Sequence, residues 1–243
     1  MLKTTERIED LQLDGLKIIQ DSNGYCFTSD SVILANFVKA KQDDKILEIG
    51  AGSAVISILV SYKTKCNNIT ALEIQPRLAD MATRSVKLNN LEDKIRVLNE
   101  DVKKFVNNET KNSYDVIFSN PPYKKVESVI EIQNEEKQIC RYEKTLTLEE
   151  LVNCASLLLK DKGKFFIVYE AERVVDLLTT LRLKKLEPKT MFFTQPNENK
   201  NAKLIVVEAI KNAKSSAKVL PTLITNDLEG NYIYSIEKFY KGK

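Results

Sequence analysis

Lys45-Ile46-Leu47-Glu48-Ile49-Gly50-Ala51-Gly52-Ser53-Ala54 is an apolar run that breaks on two glycines, and a second apolar stretch, 55–61, follows at once. A short apolar run closed by Gly-x-Gly and opening into a helix-forming stretch reads as a buried strand, a tight turn and a crossover helix. The same alternation continues downstream. Residues 69–74 read as a second strand, followed by a helix over 76–89 with Pro76 in its first turn, where a missing N–H costs nothing. Residues 94–98 make a third strand with a short helix after Asp101, and 114–118 a fourth.

A polar stretch over 124–144 holds five Lys or Arg and five Glu, long for a connection inside a compact domain. Beyond it, Thr147 as N-cap with Glu150 three residues on predicts a helix over 147–160. A strand over 163–169, a helix over 171–184 and two strands over 190–194 and 202–209, with no helix between these last two, complete the pattern. Strands alternating with helices predict an α/β fold with a doubly wound, seven-stranded, mostly parallel sheet and an antiparallel edge strand.

Upstream, 8–13 and 16–20 around Asp14-Gly15 predict a hairpin, and 31–37 a helix. The expected organisation is a single domain: 1–42 as a hairpin and helix extension covering a pocket, 43–210 as the alternating unit, and 211–243 as a tail packing on it. Within that tail, 230–236 is expected to pack on the domain.

Composition narrows the chemistry. The 243 residues are 43% hydrophobic and 29% charged with a net charge of +3, so the chain is no polycation and any nucleic-acid contact needs a local patch. Cys26, Cys66, Cys140 and Cys154 form no Cys-x-x-Cys pair, which excludes a zinc ribbon or dithiol motif. Histidine is absent, removing the commonest metal ligand and general base, and no metal site is expected. Residues 1–7 lack the apolar core of a signal peptide, and no apolar run approaches the roughly 18 residues of a membrane span. A cytoplasmic enzyme is the expectation.

In such sheets ligands bind beyond the carboxyl ends of the strands. Four features stand at four successive strand ends: Glu48-x-Gly50-x-Gly52, Glu73, Asp101, and Asn120-Pro121-Pro122-Tyr123. The glycine turn lets a ligand approach the main chain, and Glu73 suits a ribose diol. A dinucleotide fingerprint would need a third glycine where Val55 stands. In the last feature each proline holds the residue before it out of the helical region and lacks an N–H. The turn is therefore stiff and rich in carbonyl acceptors, with the Asn120 amide oxygen beside them. Two acceptors gripping an exocyclic amine favour its pyramidal, attacking form, and Tyr123 offers a face for stacking a ring. The plainer alternative is a proline-stopped strand end with a packing tyrosine.

Leu47-Glu48-Ile49-Gly50-Ala51-Gly52-Ser53 resembles the first motif of class I S-adenosylmethionine-dependent methyltransferases, and Asn120-Pro121-Pro122-Tyr123 resembles their amino-group methylating motif. The resemblance implies a Rossmann-like domain binding S-adenosylmethionine. It places Glu48, Gly50 and Gly52 near the methionine moiety, Glu73 with Ile74 at the ribose, Asp101 and Val102 at the adenine, and Asn120, Pro121, Pro122 and Tyr123 as the catalytic set. Ala54 departs from it, since many members carry a further glycine there.

Two end segments, 25–35 and 211–224, resemble bacterial tRNA adenine-N6 methyltransferases that act beside the anticodon of a valine tRNA. That resemblance adds Thr28 and Asp30, and again Asn120, to the cofactor contacts. It implies adenosine 37 of tRNA as substrate, with Tyr25, Phe27, Lys211, Lys214 and Lys218 as RNA contacts and a monomer or homodimer as the assembly. Eight Lys against three Glu over 184–218 agree with a phosphate-binding strip, or equally with a solvated lysine-rich edge. Tyr25 and Phe27 read as stacking residues or as core aromatics. A glutamine methyltransferase of translation release factors and a non-catalytic cofactor- and RNA-binding module remain the alternatives.

Overall fold

The computed structural model describes residues 2–22, 24, 26–123 and 145–233. The long polar stretch 124–144, Tyr25, Cys140 and residues 234–243 lie outside the described residues. In chain order the elements are β1 (Glu6–Asp10), β2 (Lys17–Asp21), α1 (Ser29–Phe37), β3 (Ile46–Ile49), α2 (Val55–Thr64), β4 (Ile69–Glu73), α3 (Pro76–Leu88), β5 (Ile95–Asn99), α4 (Val102–Phe105) and β6 (Tyr114–Ser119). They continue with α5 (Leu148–Leu158), β7 (Leu159–Glu170), α6 (Val174–Leu183), β8 (Leu186–Gln195), β9 (Leu204–Lys211) and two-residue strands β10 (Lys218–Val219) and β11 (Leu223–Ile224).

The main sheet runs β8-β9-β7-β6-β3-β4-β5, with β10 and β11 both pairing outside β8. These seven full strands are the seven expected. Six run in the same direction and β9 is antiparallel to both β7 and β8, so the antiparallel strand lies one position in from the edge where the edge strand itself was expected to be antiparallel. Placing β9 one position in from β8 leaves β8 parallel to the rest. Every residue of β3 is buried, as a central strand covered on both faces requires. One face packs α1 and α2 side chains against Phe118, Phe166 and Val206, and the other packs α5 and α6 against Ile117, Phe165 and Ile205.

Capping was legible: the Thr147 hydroxyl accepts the Glu150 N–H, and the Glu150 carboxylate accepts the Thr147 N–H. The hairpin differs from its expected bounds. The strands stop at Asp10 and resume at Lys17, while the Asp14-Gly15 turn forms as expected: the Leu16 N–H donates to the Leu13 carbonyl at 2.9 Å, the Leu11 N–H donates to the Leu16 carbonyl at 2.8 Å, and Asp14 and Gly15 have φ of 45° and 72°. Leu11 and Leu13 are buried in the core cluster with α1 and α2 side chains, each worth roughly 1.5–3 kcal/mol. The hairpin lies on α3, where Arg84 makes a two-pronged bond to Glu6 at 2.6 and 2.7 Å. The predicted helix 171–184 also divides into a short tight turn, Ala171–Arg173, and α6. Among the described residues no helix is long and apolar enough to cross a membrane.

Candidate functional site

The chain runs outward from β3 through β4 to β5 and then returns to β6 on the other side of β3. That reversal opens a crevice where β3 and β6 end, the usual ligand position in such sheets. A cleft lies there, walled by Ile49, Gly50, Gly52, Glu73, Ile74, Asp101, Val102, Asn120, Pro121, Pro122 and, from beyond the undescribed stretch, Thr145 and Leu146. The four strand-end features expected from the sequence therefore border one cavity. Ser119, which the sequence reading passed over, closes its floor by donating from its buried hydroxyl to the Ile49 carbonyl at 2.7 Å.

The glycine turn is conformationally demanding. Gly50 and Gly52 have φ of 75° and 55°, and a side-chain carbon on either would meet no atom within 4 Å. Glycine is needed there for backbone geometry, and the turn borders open space that a ligand can enter. The Gly50 and Ala51 N–H groups both donate to the Leu72 carbonyl, at 3.0 and 2.8 Å. Ala54 follows at φ 66°, fully buried. A left-handed alanine costs about 1–2 kcal/mol that glycine would not, which is the physical content of the departure noted at this position.

Glu73 is buried at the end of β4, where it accepts the Gly52 N–H at 2.8 Å and the Gln75 N–H at 2.9 Å. A carboxylate at this strand end is suited to accept ribose hydroxyls. Asp101 caps α4 by accepting the Lys103 N–H at 2.9 Å. Apolar Ile74, Val102, Leu72 and Leu146 supply flat walls beside these carboxylates. An open glycine cradle, a diol-accepting carboxylate and an apolar slot fit the nucleoside and methionine parts of S-adenosylmethionine.

Glu48 stands apart from this wall. Its side chain is fully buried, one oxygen accepts both the N–H and the hydroxyl of Ser57, and the other has no hydrogen-bond partner. Burial pushes its carboxyl up to about 8, opposed by the Ser57 bonds and helped by the nearby charge of Glu73. Glu48 is thus a neutral acid at pH 7, a donor as well as an acceptor. The structure places it beneath the glycine turn, outside the cleft lining.

The Asn-Pro-Pro-Tyr turn is tied to α1. The Asn120 amide donates to the Ser31 hydroxyl at 3.2 Å, and the Tyr123 hydroxyl lies 2.8 Å from Asn120 Oδ1 and 3.0 Å from Asp30 Oδ2. The Tyr123 ring meets Tyr169 edge-on, centroids 5.7 Å apart. Arg173 donates to the Tyr123 carbonyl at 2.7 Å and spreads its guanidinium over the Tyr169 ring. Neither Ser31 nor Arg173 was singled out in the sequence. Arg173 follows the carboxyl end of β7, so the strand-end rule that found the other features would have found it too. Thr28 is exposed ahead of α1, and neither it nor Asp30 is among the cleft-lining residues.

The expected RNA contacts are scattered. Phe27 is half-buried against the core, and Tyr25 lies outside the described residues. Strand β9 starts beside Glu170 at the cleft end of the sheet and finishes with Lys211 beside Leu186 at the other, seven residues and roughly 24 Å away. Lys214 offers its carbonyl to Lys189 near that far end, and Lys218 pairs with Thr190 on the outer edge. Lysines 200 and 203 alone of the strip sit on the β8–β9 turn, at the cleft end.

Lys211 is occupied internally. Its ammonium donates to Asn112 Oδ1 at 2.9 Å and to the Ser156 and Leu159 carbonyls at 2.6 and 2.8 Å, and burial lowers its pKa. A cation against the last carbonyls of α5 is a helix-end staple. Lys211→Met is expected to lower stability by about 1.5–3 kcal/mol in urea unfolding, the scale of hydrogen bonds from a charged group. The salt slope of RNA binding should stay unchanged, whereas a phosphate contact would reduce it by about 1.

Among the described residues no group of three or more His, Cys, Asp or Glu side chains gathers as metal ligands would.

The family model of the methyltransferase small domain matches residues 26–187, which contain every wall of this cleft. The chain belongs to that family. Curated tRNA1(Val) (adenine(37)-N6)-methyltransferases of Yersinia pestis (strain Pestoides F) and Yersinia pseudotuberculosis serotype O:1b (strain IP 31758) are each 30% identical to this methyltransferase domain over 145 residues. Each match takes in 59% of the chain and spans 57% of the relative's length. Among solved structures, a predicted O-methyltransferase, protein Atu636 from Agrobacterium tumefaciens, superposes with a TM-score of 0.70 at 18% identity, covering 88% of this chain and 96% of the other. P. horikoshii TYW2 in complex with MeSAdo gives 0.61 at 17% identity, covering 88% and 74%. At those identities the likeness speaks for the fold, which is that of class I methyltransferases.

Proposed function

We propose that this methyltransferase transfers a methyl group from S-adenosylmethionine to N6 of an adenosine in tRNA, adenosine 37 beside the anticodon of a valine tRNA. One observation carries the reading: Asn120, Pro121 and Pro122 wall the same cleft as Gly50, Gly52 and Glu73, so an amine-gripping turn faces a nucleoside-binding one. The similarity to curated tRNA adenine-N6 methyltransferases supports tRNA as the substrate class.

When bound, S-adenosylmethionine supplies an electrophilic methyl on a sulfonium. Gly50 and Gly52 would let it approach the main chain, Glu73 with Ile74 would hold its ribose, and Asp101 with Val102 would border its adenine. Asn120 Oδ1 and the Pro121 carbonyl grip the two N6 hydrogens and hold the lone pair in line with the methyl. The nitrogen would form the new C–N bond as the C–S bond breaks with its electron pair on sulfur, and the surplus N6 proton would leave to water. Positioning carries the rate. A target adenosine has to leave its stack to enter, as bases do in enzymes that modify them. Helix α1 is held against the catalytic turn through Ser31 and Asp30.

Incubation with tritiated S-adenosylmethionine should label total tRNA and leave translation release factor unlabelled, with N6-methyladenosine as the labelled nucleoside. Label on release factor would transfer the reading to glutamine methylation. No label on either would make the chain a binding module.

A further inference from the structure

The Tyr123 hydroxyl sits 2.8 Å from Asn120 Oδ1 and 3.0 Å from Asp30 Oδ2. A phenol has one proton to donate, so it serves one of these two acceptors at a time. Asn120 Oδ1 is also the acceptor that an incoming amine must claim, and although it has two lone pairs, a hydroxyl bound to one draws off the electron density offered by the other. The turn therefore holds a competitor on its own reactive oxygen. Asp30 makes displacing that competitor cheap, because the displaced hydroxyl finds a carboxylate already within hydrogen-bond distance. Asp30 lies in the first turn of α1, where the helix end favours a negative charge, and Ser31 beside it receives the Asn120 amide at 3.2 Å. On the other side Arg173 fixes the Tyr123 backbone and Tyr169 meets the ring edge-on, so the hydroxyl can change acceptor without the ring being released.

We propose that Asp30 is a positioning residue of the acceptor clamp: it takes over the Tyr123 hydroxyl and so hands Asn120 Oδ1 to the substrate amine. This rests on the reading of the Asn-Pro-Pro-Tyr turn as an amine clamp, and it assigns Asp30 to the substrate side, away from the cofactor contact that the family resemblance implies.

The test is a titration of adenosine monophosphate, followed by NMR through the Asn120 side-chain amide, into protein saturated with S-adenosylhomocysteine. Asp30→Ala should weaken binding about tenfold, the factor set by losing one hydrogen bond. Asp30→Asn, which keeps an acceptor oxygen, should recover part of that loss. Tyr123→Phe removes the competing hydroxyl and should bind no more weakly than wild type, and the Asp30→Ala/Tyr123→Phe double variant should match Tyr123→Phe alone. Calorimetry of S-adenosylhomocysteine should give the same affinity in wild type and in every variant.

Equal losses from Asp30→Ala in the wild-type and Tyr123→Phe backgrounds would overturn the hand-over. So would a loss of S-adenosylhomocysteine affinity matching that for the nucleotide, or no nucleotide binding to wild type. Methyl transfer to total tRNA, measured in parallel on wild type, reports separately on the substrate. Coupling without tRNA labelling removes the tRNA and keeps the hand-over, and labelling without coupling does the reverse.

Discussion

Asn120→Ala is expected to slow methyl transfer by about 10²–10³-fold, the scale seen when one preorganised polar group is removed from a reacting centre. S-adenosylhomocysteine affinity should change by no more than a few-fold. The asymmetry follows from placement. The proposed cofactor side of the cleft is lined by Gly50, Gly52, Glu73 and Asp101 on other strand ends, whereas in the proposed reaction Asn120 supplies an acceptor that matters once nitrogen begins to pyramidalise. The substitution also frees Ser31 and the Tyr123 hydroxyl from their Asn120 contacts, so it should loosen α1 against the turn. Asn120→Asp separates the two effects, because it keeps an acceptor oxygen and loses the N–H group given to Ser31. Single-turnover rates with prebound labelled cofactor, beside calorimetry of the product, make the measurement. Unchanged turnover in Asn120→Ala would remove this turn from the chemistry.

The second large effect is on stability. The Glu48 carboxyl is held at about 8 against an ordinary 4.5, chiefly by burial. Above pH 4.5 the unfolded chain releases this proton while the folded chain keeps it. The stability it contributes is fully present below about 4.5 and is lost as pH rises through about 8, at about 1.4 kcal/mol per pH unit. Glutamine has nearly the shape of the neutral acid and cannot ionise; its carbonyl can accept both Ser57 donors. Glu48→Gln should therefore match wild type near pH 4.5 and exceed it increasingly toward pH 8 in urea unfolding. Parallel pH profiles for the two proteins would mean that Glu48 is ionised in the folded state.

Much of this molecule is written in local sequence. Strand and helix periodicity, the Thr147 to Glu150 capping box and the glycine turn are properties of neighbouring residues, and each predicted an element that forms. The cleft followed because strand-end position is a consequence of alternation. What local sequence does not carry is pairing across distance. Leu11 and Leu13 bury themselves in a core built largely from residues 20 and more positions away, and Lys211 reads as a surface cation until Ser156 and Leu159 surround it. Asp30 shows the limit most sharply: a resemblance places it with the cofactor, but 93 residues of separation hide its bond to Tyr123. Charge counts fail for the same reason, since a strip contiguous in sequence zigzags between opposite ends of a sheet.

Two short strands, β10 and β11, lie along β8 and carry little of the core. Strand β8 nonetheless includes Met191, Phe192 and Phe193, and its outer rim would otherwise present unpaired N–H and C=O groups to solvent. An apolar open rim of that length is a template on which a second copy can add a strand. Residues 218–224 occupy it first. Their worth lies in keeping a growing sheet from starting, so a chain cut after β9 would be lost to self-association before its chemistry could be measured.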